Sequence, residues 1–241
     1  MCTVSVIRWS PRASEKGETA GGYRLVSSRD EKRDRPEAEP PRRRPFVGIW
    51  PTDAAGGGTW VGAAPRGLAL TLLNVNIAPN GRAEPGTSRG LLIPALLRRR
   101  SAERAIEALR AMALASFAPF RLVAAEPGEG GPRVGDARGD GLELDIHEHP
   151  AGRSFEPICF VSSGLGDEVV RPRLPLFDAM VRPEPGPATQ DGFHRHTWVG
   201  RSAESVMMSR ADARTVSITT VETGGAGRRP RMGYEAVNQT L

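Results

Sequence analysis

The chain has 241 residues, 39% of them hydrophobic, enough to bury a sizeable core, and it reads as a single domain over residues 1–241. Its net charge of +5 comes from arginines scattered at 42–44, 98–100 and 228–231 with acids between them, so no basic stripe argues for a nucleic-acid partner. Two distant cysteines exclude a disulfide scaffold, and no apolar run reaches the length of a signal peptide or a membrane span, which leaves a cytoplasmic protein as the expectation.

Cys2 follows Met1, and an initiator methionine is normally trimmed ahead of a small residue. Trimming would put a free α-amine beside the thiol, with ordinary pKa values of roughly 7.7–8.0 and roughly 8.5, so the residue would carry its own base. A cysteine placed at position 2 by accident is the bland alternative. Residues 4–9 alternate as a strand, 11–22 read as a turn and 23–28 as a second strand, a β-hairpin that returns Ser28, Arg29, Asp30 and Glu31 to the chain start. Asp30 could then hold the amine, and Arg29 could bind a substrate carboxylate or pair with Asp30 or Glu31. The Pro-rich, charged residues 32–45 read as an exposed loop or extended wrap that could cover a site.

Residues 56–62 form a glycine-dense turn entering a strand. They lack the lysine and following helix of a phosphate loop, so their glycines serve turns or close backbone approach. Residues 68–75 form a strand covered on both faces, ending in Asn74 and Asn76, and Asn74 is a candidate oxyanion donor. Ser88 is placed to cap a short helix through Leu97, with Pro94 inside it. A second helix is expected over 102–117, burying Ile106, Leu109 and Met112 or Ala113. Strands follow at 120–125, 142–147, 158–163, 215–222 and 232–237, with a helix at 173–180, and residues 182–198 read as a loop. This order predicts an α+β fold with two antiparallel sheets and helices outside. The pairs His147/His149 and His194/His196 could each face one side of a strand, but no further ligands accompany them, and neither a metal nor a cofactor is expected. No Gly-x-Ser-x-Gly elbow is present, and Ser162-Ser163-Gly164 reads as a turn.

Met1-Cys2, Ser28-Arg29-Asp30-Glu31 with Arg35-Pro36, residues 57–62, and the strand from Gly67 to Asn74 together resemble the family named for an Asn-Arg-Asp-Glu motif, also called the transport and Golgi organisation protein 2 family. Ser88-Arg89-Gly90 and the strands at 215–221 and 233–237 continue the likeness. That family resembles the N-terminal-nucleophile hydrolases, which implies a four-layer αββα sandwich and amide-bond chemistry like that of penicillin V acylases and bile salt hydrolases. Carried over, Cys2 matches the nucleophile, Arg29 and Asp30 match the Arg-Asp of the motif, and Asn74 resembles the acylases' oxyanion asparagine. Ser28 departs from the motif's first asparagine, and Ser162 and Ser163 stand where a second site asparagine is expected. The implied function is hydrolysis of a non-peptide C–N amide through a thioester on Cys2, with a small-molecule amide or acyl substrate. The implied alternative is a non-catalytic trafficking protein holding haem or lipid in the same pocket.

Overall fold

A computed structural model describes residues 2–9, 21–76, 86–225 and 227–238. Strands β1 (Cys2–Arg8) and β2 (Tyr23–Lys32) form the expected hairpin, antiparallel from Cys2 opposite Arg29 to Arg8 opposite Tyr23. Most of the turn expected between them lies outside the described residues. The chain then runs through a meander in which each strand pairs with the next: β3 (Glu39–Arg44), β4 (Gly48–Thr52), β5 (Val61–Ala63), β6 (Ala69–Asn74), β7 (Phe120–Glu126), β8 (Arg133–Gly139) and β9 (Leu144–Glu148). It re-enters the first sheet with β10 (Ile158–Ser162) beside β1, and finally with β11 (Ala213–Thr223) and β12 (Arg231–Ala236) beside β2. The sheet orders are β10-β1-β2-β11-β12 and β3 to β9 in sequence, all pairs antiparallel.

Period-two alternation sorts the core into layers. Val4, Val6, Tyr23 and Leu25 of the first sheet meet Val61, Ala69, Leu73 and Val123 of the second, filling the space between sheets. The other face of the second sheet, with Leu70, Leu72, Leu122 and Ala124, packs on α1 (Leu92–Leu97) and α2 (Ala102–Arg110). The other face of the first sheet, through Ile7, packs on Phe177 of α3 (Arg173–Met180) and Phe193 of α4 (Pro187–His194). The result is the α+β, four-layer αββα sandwich of two antiparallel sheets. No helix among the described residues is long and apolar enough to cross a membrane.

Several local expectations are corrected. Residues 39–44 are a strand despite Pro40 and Pro41, because β3 is the edge of its sheet and pairs on one side only. β8, with two arginines, an aspartate and two glycines, carries too little apolar signal to read as a strand, yet it pairs on both sides. α2 ends at Arg110, before the expected residue 117, and buries Ala105 and Leu109 while Ile106 is only half-buried. Pro94 is tolerated because it lies in the first turn of α1, where a backbone N–H has no intrahelical acceptor to lose. Ser88 precedes a 3-10 turn at Arg89–Leu91 and makes no side-chain cap bond. The 182–198 segment contains α4, begun by Pro187, so His194 stands on a helix and His194/His196 do not form a strand pair.

That helix presses a polar layer onto β1 and β2. Arg24 donates to Gln190 (2.8 Å), Asp191 (2.7 Å) and Glu222 (3.0 Å), and the His194 ring bridges Ser28 and Ser5 at 2.7 Å on each nitrogen. Ser28, the departure from the family motif, thus partners a fully buried imidazole. Burial, with Arg24 nearby, pushes His194 from its ordinary 6.5 down to about 3. The folded protein therefore holds this ring neutral, while the unfolded chain protonates it below 6.5. Its contribution to stability is present above pH 6.5 and is lost as pH falls toward 3, at up to about 1.4 kcal/mol per pH unit. Thermal unfolding across that window is expected to show this decline, and a His194→Gln variant is expected to show a shallower one. Equal acid slopes in the two proteins would contradict this account of the ring.

Candidate active site

Because Cys2 and Arg29 are directly opposed across β1 and β2, their side chains share the inter-sheet face of the first sheet. Asp30, one residue on, belongs to the other face, where it meets α3 and β11. A register shift in β11 between Thr215 and Ser217 lets Thr215 face Asp30, and Thr215 Oγ1 donates to Asp30 Oδ1 at 2.6 Å. Arg173, buried on α3, lies 3.5 Å from Asp30 Oδ2 and also donates to Thr3 Oγ1 (2.8 Å) and the Glu204 carbonyl (2.9 Å). Burial raises the Asp30 carboxyl above its ordinary value, and the Arg173 charge works against that rise. Asn74 ends β6, opposite Phe120, and is half-buried. The four predicted site residues, Cys2, Arg29, Asp30 and Asn74, all line one cavity of about 230 Å³.

The wall beside Cys2 is a charge network. Arg29 stacks over Trp60, 4.3 Å from the ring centre, and lies 3.3 Å from both Glu31 and Asp53. Arg35 reaches Asp53 at 2.5 Å and Glu31 at 3.4 Å. Burial opposes the Asp53 charge, but the Arg35 hydrogen bond and the Arg29 charge prevail and hold its carboxyl below its ordinary value. Arg29 therefore pairs with Glu31 and Asp53, and Asp30 takes Arg173 instead. Sequence reading passed over Asp53, Trp60 and Arg89, all of which line the cavity. Trp60 and Arg89 sat within segments that carried the family likeness, whereas Asp53 had no local signal.

Another stretch of the lining depends on glycine. A Cβ on Gly58 would lie 2.3 Å from the Gly90 carbonyl carbon, so this close approach requires hydrogen at that position. Thr59 N–H donates to Gly90 O at 3.0 Å, and the seam fixes the turn that carries Arg89 against the cavity.

Other candidates are elsewhere. Asn76 donates its side-chain amide to the Ser163 carbonyl and does not line the cavity. Ser162 pairs with Cys2 across β1 and β10 and is buried, yet neither it nor Ser163 lines the cavity. His147 meets Asp145 and His149 meets Asp136, both on the second sheet, and none of the four histidines lines the cavity. Among the described residues no group of three His, Cys, Asp or Glu is gathered to hold a metal. Cys159 is a free thiol packed beside Ile7 and Phe177, and burial raises it. Burial likewise pushes the Cys2 thiol above its ordinary value, so at neutral pH it rests protonated and needs a base to become a nucleophile.

The family model described as Transport and Golgi organisation 2 matches residues 1–136. No curated protein matches the chain. Among solved structures, the Caenorhabditis elegans N-acylethanolamine-hydrolyzing acid amidase ortholog is similar with a TM-score of 0.56 at 12% identity, covering 90% of this chain and 91% of that one. At that identity the likeness is one of fold.

Proposed function

The chain belongs to the Transport and Golgi organisation 2 family, and on that premise we propose that it is an N-terminal cysteine amidohydrolase acting on a non-peptide C–N amide through a thioester. The observation that carries this reading is a buried thiol facing a polar cavity with no histidine in its lining. A Cys–His pair is thereby unavailable, and the base nearest by covalent structure is the α-amine that Cys2 gains once Met1 is removed. The similarity in fold to a protein described as hydrolysing N-acylethanolamines, which contain an amide, supports the same reaction class.

In this mechanism the α-amine takes the thiol proton as Cys2 Sγ attacks the acyl carbon. The carbonyl oxygen becomes an oxyanion, for which the Asn74 amide is the proposed donor. Collapse breaks the C–N bond, and the amine leaves with the proton returned by the α-ammonium. Water then attacks the thioester, giving its proton to the α-amine. Sγ departs as thiolate and is reprotonated, releasing the acid. Asp30, next to the chain start in the β1–β2 register and braced by Arg173, would hold the amine in place, while Arg29 positions charge beside Sγ. Trp60 and Leu72 are the apolar side chains of the lining besides Cys2, and nothing in the cavity specifically favours the alternative haem or lipid ligand.

The test is the intact mass of untagged protein before and after brief, limiting alkylation, followed by an amide panel on the same sample. Loss of Met1 with preferential labelling of Cys2 and amine release from an amide are the expected results. Retained Met1, or a Cys2 no faster than a model thiol together with no amide turned over, would end this reading.

A further inference from the structure

The cavity beside Cys2 receives three arginines and three acids, and their pairing is uneven. Arg29 and Arg35 share Glu31 and Asp53, and Asp30 is taken by Arg173 from outside the cavity. Arg89 remains. Its Nη1 donates to the Pro119 carbonyl at 2.7 Å, which is a neutral acceptor, and no carboxylate among the described residues forms an ion pair with it. Arg89 is held in the cavity wall by the Gly58–Gly90 seam, so its position is fixed by backbone and not by a charged partner. A guanidinium offers five N–H donors and stays charged even where burial lowers its pKa, as it does here. The cost of keeping such a cation partly desolvated is recovered when an anion binds.

A second donor is also unsatisfied. The Trp60 indole N–H is buried without an acceptor among the described residues, and Trp60 is another lining residue. Size adds a further limit, since a cavity of about 230 Å³ with few apolar side chains falls below the roughly 300–1,000 Å³ that houses drug-sized ligands. Such a cavity gives a long acyl chain little room and, with Trp60 and Leu72 as its apolar side chains besides Cys2, few apolar contacts.

We propose that this cavity takes a small polar amide bearing a carboxylate, and that Arg89 is the specificity-determining residue that binds the carboxylate while the amide carbon lies toward Cys2. The proposal deepens the amidohydrolase reading and rests on it for the word substrate, whereas the binding of a small carboxylate stands without it. A charge-assisted, bidentate contact of this type is expected to separate a carboxylate from its neutral amide by about ten- to hundred-fold in affinity.

The experiment titrates N-acetylglycine and its neutral counterpart N-acetylglycinamide into the full chain carrying Cys2→Ala, so that no turnover intervenes, with binding read by calorimetry or ligand-observed NMR. N-acetylglycine is expected to bind at least about ten-fold more tightly, an advantage that added salt reduces, Arg89→Lys partly keeps and Arg89→Gln removes. Equal binding of the two probes overturns the proposal before any variant is made. So does a preference that survives Arg89→Gln, or absence of binding by either probe at high millimolar concentration. If the preference follows Arg89 but the unsubstituted protein hydrolyses nothing, the amidohydrolase reading fails and the carboxylate site stands. Hydrolysis of neutral amides without any preference for carboxylates produces the opposite division.

Discussion

Replacing Cys2 with alanine is expected to remove turnover of any amide the unsubstituted protein hydrolyses, by a factor on the order of 10⁶, since no other thiol lines the cavity and neither Ser88 nor Thr59 carries an α-amine as its own base. The fold should persist. Cys2 is 7% exposed and packs with Val4 and Trp60 between the sheets, so the lost sulfur should cost about 1 kcal/mol of stability. Steady-state kinetics paired with thermal unfolding separates the two effects. Cys2→Ser should keep a trace at most, because a hydroxyl is far harder than a thiol for an α-amine of near-neutral pKa to deprotonate. Undiminished activity in Cys2→Ala would end the covalent mechanism, whereas lost activity accompanied by lost structure would end the claim that the residue is chemical and not architectural.

Arg173→Met should produce the largest loss of stability. Arg173 and Asp30 have fully buried side chains, and truncating the cation takes the Arg173 charge away from a carboxylate in the protein interior that also accepts from Thr215. Breaking a buried pair from one side costs about 3–5 kcal/mol. For a chain of this length that corresponds to a fall in Tm of roughly 6–20 °C. The sign with pH is diagnostic. Burial already raises the Asp30 carboxyl, and losing the Arg173 charge removes the opposing influence, so the raised pKa climbs further. A carboxyl whose folded pKa exceeds its unfolded value favours the folded state at low pH and loses that advantage as pH rises through the folded value. The stability gap between Arg173→Met and the unsubstituted protein should therefore narrow on acidification. Adding Asp30→Asn should recover part of the loss at neutral pH. A gap independent of pH, with no recovery in the double variant, would assign the loss to packing of the long arginine stem instead.

The two experiments bear on different faces of one sheet. Cys2 and Arg29 belong to the inter-sheet face, and Asp30 to the face covered by α3, yet all three line the cavity because it opens where the hairpin strands end. Chemistry proposed for Cys2 thus leans on a buried ion pair donated by an element more than a hundred residues away in sequence.

What the sequence by itself determined is what local periodicity and chain adjacency encode. Alternation over residues 4–9 and 23–28 predicted a hairpin that returns residues 28–31 to the chain start, and the register of the fold places Arg29 opposite Cys2. The apolar run ending at Asn74 required a doubly covered strand, and the helix at 173–180 was legible from its length and composition. With strands before and after a helical centre, two antiparallel sheets under helices followed. Tertiary structure alone decided the partners. Arg29 could have paired with Asp30 on grounds of proximity, but adjacent strand residues face opposite sides, so Asp53 and Glu31 took Arg29 while Arg173 took Asp30. β8 and α4 exist because neighbouring elements supply pairing and burial that their own composition does not advertise. Arg89 became a cavity residue only where Gly58 allowed two backbones to approach. Spacing along the chain sets which face a side chain occupies, but the energy that selects its partner comes from whichever distant strand or helix is packed against that face.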